Sequence, residues 1–354
     1  EKPEDIAQTT AQVFLGVRMQ CTRCHHHPLE VWSQDDYYGL AAYFTRLEVK
    51  DNKDNGVYGG AKLIRSVDTV PKGRRLAMEA EPSVFGTDAP TSQSPSADPR
   101  AELAQAITSA DNPFFARNFA NRYWAYLTGR GLVEPIDDLR ATNPPSNPEL
   151  LDALAQDLID HNYDVKHLLR TICNSRTYQL AAEVAPQRDA DGMFYTHRVP
   201  QRLPAEVLLD AINQVTGTTE SFEGLPPGTR AIALPDPAVK SYFLDTFGRP
   251  LRNNPCECAR SGMPDLSQAL HLANSEALNE KIASSRGRLQ KLLSKNADEA
   301  AMVDELYLAA YARLPSAEER ATITELLAES PSPVEGWQDL VWTLINSSEF
   351  VFNH

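Results

Sequence analysis

The chain has 354 residues, enough for two domains with cores of their own. Apolar residues make up 42% and charged residues 23%, the balance of a globular chain, and no run approaches the roughly 20 apolar residues that span a bilayer. Acidic residues outnumber basic ones by 48 to 34, a net charge of −14, which argues against a nucleic-acid scaffold and against attraction to anionic membranes. The chain opens at Glu1 on polar residues with no leader in view, so it reads as a mature or truncated piece.

In chain order, residues 4–20 read as an amphipathic helix, with Ile6, Val13, Phe14 and Val17 at helical spacing, running directly into Cys21. Pro28 stops regular structure. Residues 34–48 predict a second helix with Ser33 as N-cap and Asp35 and Asp36 in its first turn. Residues 50–75 suggest a hairpin or irregular excursion, with Val57-Tyr58 and Leu63-Ile64 as β-prone pieces. Pro82, Pro90, Pro95 and Pro99 mark a linker. The expected division is therefore 1–80, a linker at 81–98 and a helical domain over 99–354.

In that second part, helices are expected over 100–110, 113–128, 147–161, 164–175, 203–217, 265–275, 276–295, 298–312, 316–329 and 335–349. Residues 220–262 are rich in Pro and Gly and predict a long loop that breaks the helical domain in two. The fold class is mainly α, with little β.

The chemistry concentrates in Cys21-Thr22-Arg23-Cys24-His25. Two thiols at this spacing reach the two vinyl groups on one porphyrin edge, and the adjacent His25 ligates the iron, so the motif predicts covalent haem c. Haem c attachment takes place outside the bacterial cytoplasm, which makes this an exported, periplasmic or extracellular chain. For a sixth iron ligand the sequence offers Met78, Met263, His197 and His271. His26 and His27 continue the motif and add imidazoles suited to zinc or copper.

A second pair, Cys256-Glu257-Cys258, makes a strained disulfide but a good metal half-site. With Cys21 and Cys24 it completes a four-thiolate zinc site, the rival to haem. Arg249, Arg252 and Arg260 flank it, suited to neutralising thiolates or clamping haem propionates. Cys173, in a helical pattern, reads as a small buried residue.

Elsewhere, Asp137-Asp138 suits a solvated turn, a helix cap, acid/base chemistry or calcium. Arg202 and Glu206 are spaced for a helical ion pair. Phe114, Phe115, Phe119, Tyr123, Trp124 and Tyr126 read as core, with carbohydrate stacking as the alternative. There is no Gly-rich phosphate loop, no Gly-x-Ser-x-Gly elbow and no His-Glu-x-x-His.

Phe14-Leu15-Gly16-Val17, the cysteine motif continued to Pro28, and Gln34-Asp35-Asp36-Tyr37-Tyr38 resemble the end of the planctomycete cytochrome-like domain of unknown function 1549. Asn112 to Arg117, Asn121 to Trp124, Pro145 to Leu151, Ser175 to Gln179 and Arg202 to Glu206 resemble its habitual partner, domain of unknown function 1553. So do Phe247 to Pro250, Cys256-x-Cys258, Gln268 to Ser275 and Asn346 to Phe350. The resemblance implies a small cytochrome-like N-terminal segment before a larger helical domain, in an exported protein. It also implies that most of the domain normally preceding the cysteine motif is missing here.

Three functions follow as expectations. The first is an electron-transfer or redox protein with haem c at Cys21, Cys24 and His25 and a redox partner still to be found. The second is a non-redox exported scaffold with zinc at Cys21, Cys24, Cys256 and Cys258. The third is an exported polysaccharide-related enzyme.

Overall fold

Helix α1 (Pro3–Thr10) starts on a proline, whose missing N–H is no loss at a first turn, with Glu4 and Asp5 complementing the helix dipole. The computed structural model describes residues 2–51, 62–66, 80–85, 98–182, 193–250, 266–295 and 298–353. Helical winding continues as a π-type turn over Ala11–Leu15 and stops at Gly16, which takes φ +68°. The expected unbroken helix to Cys21 is therefore corrected. A Cβ on Gly16 would lie 2.7 Å from Asn118 Oδ1 and 2.8 Å from the Leu139 side chain, so only glycine fits both the backbone and the space.

A 3₁₀ turn (Gln20–Arg23) follows, then α2 (Gln34–Ala42). Ser33 caps α2 as expected, in a reciprocal box with Asp36, worth about 1 kcal/mol. Tyr37 pins α2 to α1: its hydroxyl accepts from Gln8 Nε2 at 2.6 Å, and burial pushes its pKa up to about 12. Strands β1 (Leu47–Asp51) and β2 (Lys62–Ser66) pair antiparallel, with Val49 opposite Ile64. This is the hairpin expected near 50–75. Val57-Tyr58 lie outside the described residues.

Helices α3 (Pro99–Ile107), α4 (Phe115–Thr128), α5 (Pro148–Asp160) and α6 (Val165–Cys173) complete the first of two compact units, which holds the described residues up to Val199. One core joins Leu15, Met19, Trp32, Tyr37, Leu40 and Phe85 to Leu103 and Ile107. Apolar packing thus continues across the stretch expected to be a linker, and the division between units falls at 199/200. A second core joins Trp124, Leu132 and Val133 to Leu151, Leu158, Leu168 and Ile172. Phe115, Phe119, Tyr123 and Tyr126 form a ladder along α4, with successive rings 6.1, 4.6 and 5.9 Å apart. Trp124 is core, whereas Tyr126 is exposed.

The segment leading to the cysteines is tied to the α4–α5 connection by polar contacts. Asp137 is 1% exposed and accepts from Gln12 Nε2 at 2.6 Å and from Arg18 Nη2 at 2.5 Å. Arg18 reaches Asp138 at 3.8 Å, and Arg140 pairs with Asp138 at 2.7 Å. Leu139 N donates to Gly16 O, Asn118 Nδ2 to Val13 O and Arg122 to Gln12 O. Buried Asn121 holds the Asp137 loop from beneath, bonding Val133 through both its N–H and C=O and reaching Ile136 O as well.

The second unit contains β3 (Gln201–Arg202), α7 (Ala205–Thr216) and α8 (Tyr242–Thr246). Helices α9 (Leu266–Asn274), α10 (Glu276–Ile282), α11 (Arg288–Ser294) and α12 (Glu299–Tyr311) follow. Then come α13 (Ala317–Glu329), α14 (Pro333–Asn346), α15 (Ser348–Val351) and β4 (Phe352–Asn353). Strand β4 pairs antiparallel with β3, drawing the end of the chain back to the start of the unit. The expected helix over 276–295 is split at Gly287, where a Cβ would lie 2.9 Å from Thr216 O. Arg202 lies in β3, not on a helix, and its guanidinium bonds Gln268 and Phe247 O.

Arg313 anchors the last helices. It binds Glu319 at 2.8 Å and Glu349 at 2.7 Å, two bonds to each, holding the Glu319 carboxyl down at about 2.

Two outcomes are expected. Arg18→Ala leaves the buried Asp137 with the Gln12 amide as its remaining described partner, and denaturant unfolding should show a loss of about 3 kcal/mol. A depressed carboxyl pKa gives stability that is complete above the ordinary value of 4.5 and lost as the pH falls through about 2. The melting temperature followed from about pH 5 to about pH 3 should therefore fall less steeply in Glu319→Gln than in the parent chain.

Candidate functional site

The motif is built on the short 3₁₀ turn. Cys21 lies within this turn and Cys24 caps its end, the Cys24 N–H bonding Cys21 O. Both thiols are exposed and free. Thr22 between them is fully buried, its Oγ1 donating to Met19 O at 2.6 Å. Arg23 O accepts from Gln34 Nε2 and Tyr38 Oη, and the Arg23 guanidinium reaches Asp5 at 3.6 Å. The turn is thus fastened to α1 and α2 through its buried side, and the sulfur atoms face solvent.

Three consecutive imidazoles follow, and their partners assign their tautomers. His25 Nδ1 lies 2.6 Å from His26 O. A carbonyl only accepts, so Nδ1 carries the proton and Nε2 keeps a free lone pair. This is the arrangement in which a second contact orients a metal-binding histidine. His26 Nδ1 accepts from Gln34 N, the first N–H of α2, at 3.4 Å. His27 Nδ1 accepts from Leu29 N at 3.2 Å. In the neutral ring each then carries its proton on Nε2, so the expected extra ligands at His26 and His27 are already spent on the backbone. His25 is the imidazole left open.

After the histidines the chain folds back, His27 N donating to Trp32 O at 2.8 Å, and exposes Leu29 and Val31. Trp32 packs on Phe85 and Phe114 at 4.8 and 5.4 Å. Val31, Trp32 and Phe114 line a cleft of about 360 Å³ with Pro113, Arg117 and Arg140. It is an apolar wall edged by Glu30 and by two guanidinium groups already paired, Arg117 with Asp152 at 3.3 Å and Arg140 with Asp138 at 2.7 Å.

The other predicted residues fare differently. Cys256, Cys258, Met78, Met263, Arg252 and Arg260 lie outside the described residues. Asp137 and Asp138 are neither a solvated turn nor a helix cap, because they are buried in ion pairs with Arg18 and Arg140. Arg249 is buried and occupied, donating to Val239 O at 2.8 Å and to Asp245 at 2.6 Å, so it braces the loop around α8. Cys173 is only partly buried, and the neighbouring Ile172 fills the core instead. His197 belongs to the first unit. His271 belongs to the second, among Tyr242, Phe243 and Phe247 at 5.4–5.9 Å, where burial lowers its pKa.

Sequence reasoning missed Gln12 and Arg18, the residues that hold the segment before the motif. The only signal was a lone arginine three residues before Cys21, and its partner lies 119 positions away. No helix among the described residues is long and apolar enough to cross a membrane.

No curated protein and no solved structure matches the chain. Two family models do. Residues 1–49 match a family described as protein of unknown function DUF1549, PSCyt2. Residues 99–327, well over half the chain, match one described as protein of unknown function DUF1553, PSD1. The resemblance read from the motifs is thereby shown, and the chain belongs to the DUF1553 family, with a DUF1549 segment carrying the cysteine motif in front.

Proposed function

We propose that this protein is an exported redox protein that carries haem c on Cys21, Cys24 and His25. The observation that carries the reading is the hydrogen bond from His25 Nδ1 to His26 O, which leaves Nε2 with a free lone pair next in sequence to two exposed thiols. The donor set fits the group. Thioether formation needs two reachable thiols, and iron ligation needs one neutral imidazole of fixed tautomer. The cleft lined by Val31, Trp32 and Phe114 adds an apolar surface. A haem bound here supplies one-electron transfer. The chain's own part is to hold the turn rigid through Thr22 and Arg23 and to fix the His25 ring.

A second reading is a zinc site in an exported scaffold. The exposure of both thiols favours it, since Cys21 and Cys24 supply half of a tetrahedral set and Cys256-x-Cys258 would supply the other two thiolates. Asp137 and Asp138, the acid/base candidates, are buried in ion pairs.

Co-expression with a haem-maturation system decides between them. The first reading expects a Soret band that survives acid–acetone extraction, disappears in the Cys21→Ser/Cys24→Ser variant and changes in His25→Ala. A colourless protein with one zinc per chain, destabilised by Cys258→Ser, overturns the first reading and supports the second. A colourless, zinc-free protein overturns both.

A further inference from the structure

A different cluster, on the far side of α4 in sequence from the cysteine motif, brings together three ligand-type side chains. Asp157 lies in the last turn of α5, His161 follows one turn later as its C-cap, and His167 is the third residue of α6. His161 Nδ1 is 3.3 Å from Asp157 Oδ1, and His167 Nε2 is 2.9 Å from Asp157 Oδ2. The ligand atoms of all three lie within 4.8 Å of one another. The two rings stack at 3.6 Å and 15°.

The backbone is built to make this meeting. Asn162 and Tyr163 both take left-handed conformations, φ 52° and 59°, which reverses the chain between α5 and α6. Two consecutive non-glycine residues in this region are strained, and their surroundings must hold them. Tyr163 N donates to Leu158 O at 2.8 Å, and the Tyr163 ring packs on Phe115 at 5.4 Å. Asp164 caps α6 by accepting from Lys166 N and His167 N, which fixes where His167 stands. Leu158 and Leu168 are fully buried beneath the turn. A rigid hairpin thus presents two imidazoles and a carboxylate, each between about a third and a half exposed.

We propose that Asp157, His161 and His167 form a binding site for a divalent transition-metal ion of the zinc class. Two imidazoles with one carboxylate suit zinc, copper, nickel or ferrous iron, while calcium and magnesium prefer all-oxygen sets. Without metal, His167 Nε2 donates its proton to the Asp157 carboxylate, and His161 Nδ1 donates to Asp157 O at 2.8 Å. By these partners His161 keeps its lone pair on Nε2 and His167 on Nδ1, and because an imidazole lone pair lies in the ring plane, one ring turns out of the stack for both to reach the same ion. The exposed side is left to water or a further ligand.

The test uses the full chain with all five cysteines (Cys21, Cys24, Cys173, Cys256 and Cys258) replaced by serine, titrated with Co²⁺ by absorption and with Zn²⁺ by calorimetry. One ion per chain is expected, with cobalt d–d bands and no thiolate charge-transfer band. His167→Ala and Asp157→Asn should each weaken binding at least about 10-fold. Zn²⁺ should raise the melting temperature of the parent chain and leave that of these variants unchanged, with circular dichroism reporting their folding. No binding to the thiol-free chain, or equal binding by the His161→Ala/His167→Ala variant, overturns the proposal.

Discussion

The buried carboxylate of Asp137, held by Arg18 and Gln12, is the contact on which the first unit depends. At 1% exposure an ionised Asp137 is tolerable only because a guanidinium and an amide surround it. That pair joins the segment that ends in the cysteine turn to the α4–α5 connection more than a hundred residues later. Around it the backbone is registered by Leu139 N to Gly16 O and Asn118 Nδ2 to Val13 O. Gly16 is required because a side chain there would strike both Asn118 and Leu139. One buried ion pair thus fixes a helix break, and the helix break sets the direction in which Cys21 and Cys24 face.

Local chemistry then takes over at the motif. The 3₁₀ turn leaves both thiols exposed and buries Thr22 between them. Three adjacent histidines look equivalent by composition, yet they are not equivalent as ligands. Two of them accept backbone N–H groups, one from the start of α2, where such donors lack intrahelical partners. Only His25 donates through Nδ1. The same rule, that the partner of one ring nitrogen decides the use of the other, governs the His161–His167 pair.

The family matches and the packing divide the chain at different places. The matched segments are 1–49 and 99–327, whereas the compact units meet at 199/200. Trp32, Phe85 and Phe114 show why, since three aromatic rings from the two matched segments and the stretch between them pack into one cluster. Within the second unit, the pairing of β3 with β4 and the Arg313 bond to Glu349 bring distant segments together.

Helices were legible in the sequence because their signals are local. Asn147-Pro148 opens α5, the Ser33 and Ser316 capping boxes open α2 and α13, and apolar spacing marks the buried face of each. The cysteine motif was legible for the same reason, since its donors lie within five residues. Local signals could not give the break at Gly16, because the atoms that exclude a side chain there come from Asn118 and Leu139, and at Gly287 distant Thr216 O acts beside local Ser284. They could not show that Asp137 and Asp138 are buried, since a pair of aspartates in a loop reads as solvated until its arginines are found. Nor could they assign the histidine tautomers or bring Asp157, His161 and His167 together. By itself the sequence determined the helices, the family and the donor atoms. Tertiary structure decided which donors stay free, because a lone pair or a buried charge is used according to the group that folding places beside it.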